Sequence, residues 1–199
     1  MRLINFNRTA INNCQTYNED MVKLKIFTLN IGLFLFTATT FAQNKADLKS
    51  LLNENSEFVF PQTVDKIAAT LNVKTVFYED ANEEKYAKWI AKSGLELYSN
   101  YGADKSVNEL FFDIPEDKFV IVEGLPFDLA INKTTVKEAL SKFGRHDVKK
   151  QNLDAGSSFP GGTRLTMKTG THFTTLLFDS KNLLKFIGLT TSLIDPAAN

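Results

Sequence analysis

Three stretches of the chain carry apolar residues at helical spacing. Residues 45–53, 63–71 and 135–143 place apolar side chains at i, i+3 and i+4, and this predicts that each forms a helix with one buried face. The third stretch repeats the second position by position. The apolar positions are Leu48, Leu51 and Leu52, then Val64, Ile67, Ala68 and Leu71, then Val136, Ala139, Leu140 and Phe143.

The ends of the two longer helices carry capping residues. Thr63 and Thr135 stand at the N-terminal ends, where a hydroxyl oxygen accepts a hydrogen bond from a backbone N–H. Thr135 and Glu138 together have the spacing of a capping box. Asn72 and Gly144 follow the helices, and both residue types adopt the left-handed geometry that often ends a helix.

Alternating apolar and polar residues predict antiparallel strands after each of these helices. The predicted strands are residues 75–78, 95–101, 107–114, 119–122, 163–168, 172–178 and 183–189. Residues 83–92 are instead predicted as a helix with Tyr86, Trp89 and Ile90 on one side, and residues 125–131 as extended or turn-like. Phenylalanines in the alternating strands are expected in the core, namely Phe111, Phe112, Phe178 and Phe186.

This order of elements predicts an α+β fold made of two tandem units, each a helix packed on an antiparallel sheet. The first unit spans residues 43–122 and the second spans residues 123–199. The repeated helix and hairpin patterns indicate a duplication. Any two helix–hairpin segments would share such a pattern, so duplication and coincidence both remain open.

The N-terminal region predicts export. Residues 21–42 place Lys23 and Lys25 before an apolar run that ends in Thr-Phe-Ala, the order of parts in a secretory signal peptide. The run is shorter than the roughly 20 apolar residues of a membrane anchor, and no cysteine follows it to carry a lipid. We therefore predict cleavage after Ala42, a periplasmic or secreted protein, and no stable membrane anchor after cleavage. Residues 1–20 are interpreted as an upstream extension, or alternatively as a long n-region.

The charge and the cysteine content argue against several classes of function. The 199 residues carry 23 basic and 23 acidic side chains, a formal net charge of zero, which argues against nucleic-acid binding. Cys14, the one cysteine, lies before the predicted cut, so the mature chain has neither disulfides nor thiol chemistry. His146 and His172 have no metal-ligand spacing and no nucleophile motif beside them. We therefore predict no catalytic residue, no cofactor and no bound metal.

One passage resembles a known group of proteins. The stretch GLPFDLAINKTTVKEALSKFG, followed by a polar loop and strands ending in LFDSKNLLKFIGL, resembles small exported domains of the β-lactamase-inhibitor-protein-like group. Outer-membrane assembly lipoproteins of the SmpA/OmlA type share that fold. The resemblance is best over residues 124–189 and implies a helix followed by antiparallel strands. It transfers no functional residue, because this chain lacks the disulfides of the inhibitors and the lipid-bearing cysteine of the lipoproteins. The Phe-rich segment before Ala42 also resembles signal peptides of Bacteroidetes-type bacteria.

Together these patterns predict an exported, non-enzymatic binding protein of the bacterial envelope that contacts another protein. The alternatives are a small periplasmic hydrolase with dispersed carboxylates and a structural envelope-assembly component. The candidate binding segment is the long polar loop after the third helix, where Arg145, Lys149 and Lys150 form a short basic run and Phe159 lies among Gly and Ser. Phe159 is either an anchor for a partner or packed back onto the sheet, unless the loop is disordered.

Overall fold

Antiparallel strands dominate the protein, for which a computed structural model describes residues 44–115 and 118–192. The predicted upstream extension and signal peptide, residues 1–42, lie outside the described residues. The strands are β1 (Asn44–Lys45), β2 (Gln62–Thr63), β3 (Val76–Glu79), β4 (Lys85–Ile90), β5 (Glu96–Asn100), β6 (Ser106–Val107), β7 (Leu110–Asp113), β8 (Val122–Leu125), β9 (Leu129–Ile131), β10 (Lys149–Asn152), β11 (Thr163–Thr169), β12 (His172–Phe178) and β13 (Leu184–Thr190).

Eight of these strands form one antiparallel sheet. Their order across the sheet is β10-β11-β12-β13-β7-β5-β4-β3, so β10 and β3 are its two edges. Strand β8 pairs with β1 and β9 in a second, three-stranded sheet, and β2 pairs with β6. Two α-helices occur in the described ranges, α1 (Val64–Leu71) and α2 (Val136–Lys142), with short 3₁₀ helices at Lys49–Leu51 and Pro126–Asp128. None of the helices in this part of the chain is long and apolar enough to cross a bilayer.

The caps of α1 and α2 confirm three of the four predicted helix ends. The Thr63 hydroxyl accepts a hydrogen bond from the Lys66 N–H, and Asn72 ends α1 in the left-handed region at φ 52°. Thr135 and Glu138 form the predicted capping box. The prediction for Gly144 is wrong, because α2 ends at Phe143 with φ −97° and Gly144 has no positive φ.

The core lies between the helices and one face of the main sheet. Val64, Ile67 and Leu71 of α1 and Val136 and Ala139 of α2 are buried in the same cluster as the inward side chains of the sheet. The largest of these inward side chains belongs to Trp89, which is fully buried, and its indole Nε1 donates a hydrogen bond to Thr75 Oγ1 at 2.9 Å.

The predicted α+β class of two tandem helix-plus-sheet units is wrong. The regular structure of the described residues is mostly strand, with two short helices. Strands from the two predicted units, residues 43–122 and 123–199, share the eight-stranded sheet. The two predicted units are joined by the pairing of β7 with β13, in which Phe112 lies opposite Ile187. A shared sheet and a shared core leave no separate units, so the duplication inferred from the repeated pattern is not supported.

Two predicted helices also need correction. Residues 83–92 contain strand β4, in which Ala87 and Trp89 are buried while the residues between them face the other side. This period of two, and not the helical spacing of Trp89 and its neighbours, determines the local structure. Residues 45–53 form only the 3₁₀ helix Lys49–Leu51, although Leu48 and Leu51 are buried as expected.

The long polar loop also contains an element that the sequence did not predict. Strand β10 pairs with β11 along its whole length, with Lys150 opposite Leu165. All four of its side chains are exposed, so no alternation of apolar and polar residues marks it. The predicted strands 163–168, 172–178 and 183–189 are confirmed as β11, β12 and β13, with shifts of one residue at most.

Candidate functional site

The face of the main sheet that points away from the helices carries a row of aromatic side chains, and we call it the open face. Residues directly opposite each other on neighbouring strands point to the same side of a sheet. Phe111 lies opposite Tyr98 and is flanked in sequence by the core residues Leu110 and Phe112, so both rings face away from the core. The aromatic residues of this face are Tyr78, Tyr86, Tyr98, Phe111, Phe173 and Phe186.

The rings of the open face form two stacked groups across the strands. The ring centroids of Tyr78 and Tyr86 lie 5.3 Å apart at an interplanar angle of 13°. Those of Tyr98 and Phe111 lie 5.1 Å apart, and Phe111 continues to Phe186 at 6.0 Å. Stacked rings hold one another in place, so the row is a preorganised apolar surface.

Gly188 allows the rings of Phe111 and Phe186 to close over strand β13. A Cβ atom at this position would lie 3.1 Å from Phe186 Cε1 and 3.4 Å from Phe111 Cδ1, which is closer than ordinary van der Waals contact. A larger residue here would therefore require a shift of a few tenths of an ångström in the Phe186 ring, whereas the backbone of Gly188 makes no such demand, since its φ is not in the left-handed region.

A cavity of about 660 Å³ adjoins the row at its β13 end. Three ring-bearing side chains line it, from Tyr98, Phe159 and Phe186, together with Leu177. The charged side chains in its described lining are those of Asp113, Lys118 and Lys185. The described lining therefore combines ring and aliphatic side chains with polar and charged groups, which suits a protruding side chain or a ligand that carries polar atoms of its own.

The positive charge of Lys185 is balanced by neighbouring side chains. Its ammonium donates a hydrogen bond to Asn132 Oδ1 at 2.5 Å and lies 3.3 Å from a carboxylate oxygen of Asp179. It also lies 5.1 Å from the centre of the Phe119 ring. The exposed Lys118 is not engaged in a salt bridge within the described residues.

Phe159 reaches the cavity because the polar loop folds back onto strand β12. The N–H of Gly162 donates to the carbonyl of Phe159, and the N–H of Leu153 donates to the carbonyl of Gly162, both at 3.0 Å. A Cβ atom on Gly162 would lie only 1.9 Å from the carbonyl oxygen of Phe178, so glycine alone permits this approach. Phe159 is half-buried as a result.

The three basic candidates do not join Phe159 at the cavity. Arg145 is exposed in the turn after α2, and Lys149 and Lys150 are exposed on β10. Lys149 lies opposite Thr166 on the open face, whereas Lys150 lies opposite the buried Leu165 and points to the other side. Of the four candidate binding residues, the structure therefore brings only Phe159 to the cavity.

Sequence reasoning missed Arg164, a basic residue of β11 that lies on the open face. Arg164 lies opposite Leu177, a cavity residue, and on the same side of the sheet as Lys149. Its Nε atom is buried and has no hydrogen-bond partner among the described residues. Its position in an alternating strand was a signal that it points away from the core.

Burial raises the pKa of the tyrosine hydroxyls on the open face above the ordinary value of 10.0. It raises the pKa of Tyr98, with a smaller contribution from the negative charge of Asp113. The pKa of Tyr86 rises to about 12, first through burial and then through the hydrogen bond that its hydroxyl donates to Glu84. The Tyr86 O–H is thus occupied by Glu84, while its hydroxyl oxygen can still accept a hydrogen bond from a partner.

Both histidine side chains contact neighbouring residues. His146 Nδ1 lies 3.0 Å from the backbone carbonyl oxygen of Lys168. The His172 ring stacks on Phe60 at 4.3 Å, and its Nδ1 lies 3.0 Å from Thr171 Oγ1. Within residues 44–115 and 118–192, no group of three or more His, Cys, Asp or Glu side chains is arranged to hold a metal ion.

The expectation that Phe111 and Phe186 belong to the core is wrong. Phe112 and Phe178 are fully buried as expected, whereas Phe111 and Phe186 are half-buried on the open face. Phe111 and Phe112 are consecutive in a strand and cannot both face the core. That signal could have identified one of the two as a surface aromatic.

Comparison with known proteins adds no relative to this description. No protein-family model, no curated protein and no solved structure matches the chain. The resemblance of residues 124–189 to the β-lactamase-inhibitor-protein-like group therefore stays a prediction, and the function has to be inferred from the geometry of the open face and its cavity.

Proposed function

We propose that the protein is an exported, non-enzymatic binding protein of the bacterial envelope, and that it holds another protein against the open face of its sheet. The observation that carries this proposal is the row of aromatic side chains on the open face. It consists of two stacked groups, Tyr78 with Tyr86 and Tyr98 with Phe111 and Phe186, and the second group borders the cavity that contains Phe159. Aromatic side chains in such surfaces supply much of the energy of protein–protein binding.

The width of the aromatic row favours a protein over a small ligand. The row crosses from β3 to β13, which is four strand spacings of about 4.8 Å each, or roughly 19 Å. A surface of this width can contribute to the roughly 800 Å² that each partner buries in a stable complex. The cavity next to Phe186 can receive one protruding side chain of the partner.

The charges of the open face indicate an acidic segment in the partner. At the β3 end Lys88 and Glu96 neutralise each other, with their charged atoms 2.6 Å apart. At the β10 end the open-face side chains of Lys149, Arg164 and Lys168 form no salt bridge within the described residues. Carboxylates of a partner would complement this basic end and increase the association rate.

At the open face, neither the histidines nor the cavity beside Phe186 provides an acid–base pair among the described residues, so catalysis is not the function that we propose for this face. Neither imidazole lies against a carboxylate in the described contacts. Asp113 is the one carboxylate in the described lining of the cavity, whereas a hydrolase with two carboxylates needs a facing pair. Hydrolysis and a structural role in envelope assembly remain the alternatives that the experiments below separate.

The binding proposal is tested by capture from an envelope extract with C-terminally tagged protein. We expect the wild type to retain a specific partner, and Phe186→Ala and Phe159→Ala to lose it while their melting temperatures stay close to that of the wild type. The control is Val59→Ala, which removes an exposed apolar side chain (42% exposed) from another part of the surface. Equal capture by all four proteins would refute binding through the open face.

The variant Phe159→Ala also separates the two roles predicted for this side chain. If Phe159 is an anchor, its removal weakens binding with little change in stability. A loss of several kcal/mol, as on truncation of a core phenylalanine, would instead assign it to packing. Incubation of the wild type with envelope glycans tests the hydrolase alternative, because released fragments would contradict the non-enzymatic proposal.

Export is tested by the intact mass of the protein recovered from periplasm or medium. We expect a chain that begins at Gln43, because the predicted cut follows Ala42. A full-length chain retained in the cytoplasm would contradict the proposed location and leave the binding experiment unaffected.

A further inference from the structure

The two edges of the eight-stranded sheet differ in how they are protected. Edge strand β10 has the sequence Lys-Lys-Gln-Asn with every side chain exposed, and lysine on an edge prevents pairing with another strand. Edge strand β3 has Val76, Phe77 and Tyr78 at 55%, 49% and 41% exposure. These three consecutive residues are apolar on both faces of the sheet, so the β3 edge lacks the usual protection.

The backbone of β3 offers hydrogen-bonding groups on its outer side. The N–H of Asp80 donates to the carbonyl of Glu84 at 3.0 Å, so this pair is a hydrogen-bonded pair of the β3–β4 ladder. Such pairs alternate along an antiparallel ladder, so Val76 and Tyr78 also bond to β4. The N–H and C=O groups of Phe77 and Glu79 therefore point outward, where the described part of the chain places no further strand.

We propose that this edge pairs with the same edge of a second copy of the chain, in an antiparallel arrangement about a two-fold axis at Phe77. This register uses the outward-facing groups, because Phe77 then forms a hydrogen-bonded pair with Phe77 of the second copy. Val76 lies opposite Tyr78, so the exposed apolar side chains cover one another. The pairing joins two main sheets edge to edge.

Charge complementarity favours a second copy of the chain as the partner of the β3 edge. In this register Lys74 lies opposite Asp80 of the other chain, and two-fold symmetry forms the pair twice. The Asp80 carboxylate is held in place by the N–H groups of Asn82 and Glu84, each at 2.9 Å. A register centred on Glu79 would instead oppose two glutamates, which is unfavourable.

The edge contact is short, so we expect a reversible dimer whose population rises with protein concentration. Sedimentation analysis of the purified protein over a concentration series should show the mean mass rising from one chain toward two. Phe77→Lys should lose this rise, because it places two like charges opposite each other at the axis. Val76→Lys is a second variant on the opposite face of the strand, and circular dichroism verifies that both are folded.

A matched control and a cross-link locate the interface. Phe119→Lys changes another exposed phenylalanine (61% exposed) and should dimerise like the wild type. In a Cys14→Ser background, Phe77→Cys should be joined to its copy by a short cross-linker with two thiol-reactive ends, because the Cα atoms of a hydrogen-bonded pair lie about 5.5 Å apart. Phe119→Cys should remain monomeric under the same conditions.

Two results would overturn the proposal. The first is a mass of one chain at every concentration, with Phe77→Cys and Phe119→Cys cross-linking equally; this would leave the edge unpaired or reserved for a different protein. The second is a dimer that survives Phe77→Lys and Val76→Lys, which would place self-association on another surface.

Discussion

Replacing Gly162 by alanine should destabilise the protein more than any other glycine substitution in the polar loop. The added Cβ would lie 1.9 Å from the carbonyl oxygen of Phe178 and 2.9 Å from that of Phe159, whereas real Cβ atoms stay beyond about 3.0 Å. Both neighbours are backbone atoms, so no side chain can move away to relieve the contact. The loop must separate from β12 by more than an ångström at this point.

The expected loss follows from this crowding. Overpacking costs about 1–3 kcal/mol, and we expect the upper end because the hydrogen bond from the Leu153 N–H to the Gly162 carbonyl lies in the part that must move. For a domain of this size, about 3 kcal/mol corresponds to a fall of roughly 6–12 °C in melting temperature. Because the loop carries Phe159, partner capture should fall with it.

Two glycines in the same region provide controls for the thermal-unfolding assay. At Gly156 the nearest atom to an added Cβ is Asp154 Oδ1 at 3.7 Å, so Gly156→Ala should change stability by less than about 0.5 kcal/mol. Gly170 has open space but a φ of +60°, so Gly170→Ala should cost about 1 kcal/mol through backbone strain alone. If Gly162→Ala has the same melting temperature as Gly156→Ala, the proposed crowding at β12 is refuted.

The remaining predictions concern the helix cap, the buried indole and the open-face tyrosine. Thr135→Ala removes the capping box and should lower the free energy of unfolding in urea by about 1 kcal/mol. Hydrogen bonds from the Thr135 N–H and hydroxyl lower the pKa of Glu138 from 4.5, so its stabilising effect is present above that value and is lost as the pH falls through the lowered pKa. The stability difference between wild type and Glu138→Gln should therefore shrink in acid, and a constant difference would contradict this. Thr75→Val leaves the indole N–H of Trp89 unpaired and should cost about 1–3 kcal/mol, which the fluorescence of this single tryptophan can follow during unfolding. The pKa of Tyr86 is raised from 10.0 to about 12, so stability should fall as the pH rises from the lower value through the higher one, and Tyr86→Phe should remove that part of the decline.

The elements that depend on neighbouring residues were predicted correctly from the sequence. Helices α1 and α2 begin at the predicted threonine caps, and β12 spans the predicted residues 172–178. Their hydrogen bonds and capping contacts, or their alternation of buried and exposed residues, lie within a few positions in sequence. Residues 83–92 show the limit of this reasoning, because Trp89 and its neighbours fit two periods and the contact with Thr75 across the β3–β4 pair favours the strand.

The candidate site was only partly predictable. Phe159 was found because a lone aromatic in a Gly-rich loop is conspicuous, but the reason it reaches a cavity is the approach of Gly162 to β12. Phe186 and Arg164 were visible as strand residues, yet nothing local shows which side of the strand remains uncovered by helices. That side is known only after α1 and α2 have packed on the other.

The sequence by itself determined two helices with three of their four caps, six of the eight strands of the main sheet and the absence of cysteine after the predicted cut. The tertiary structure decided the order of the strands, the joining of β7 to β13 and the exposure of strands β3 and β10 at the edges of the sheet. The alternation of apolar and polar residues shows that one side of a strand is buried. It does not identify the neighbouring strand, because the backbone can form the same hydrogen bonds with any strand. Strand order is therefore set by contacts between residues far apart in the chain. The same contacts decide the fold class and which face of the sheet stays open.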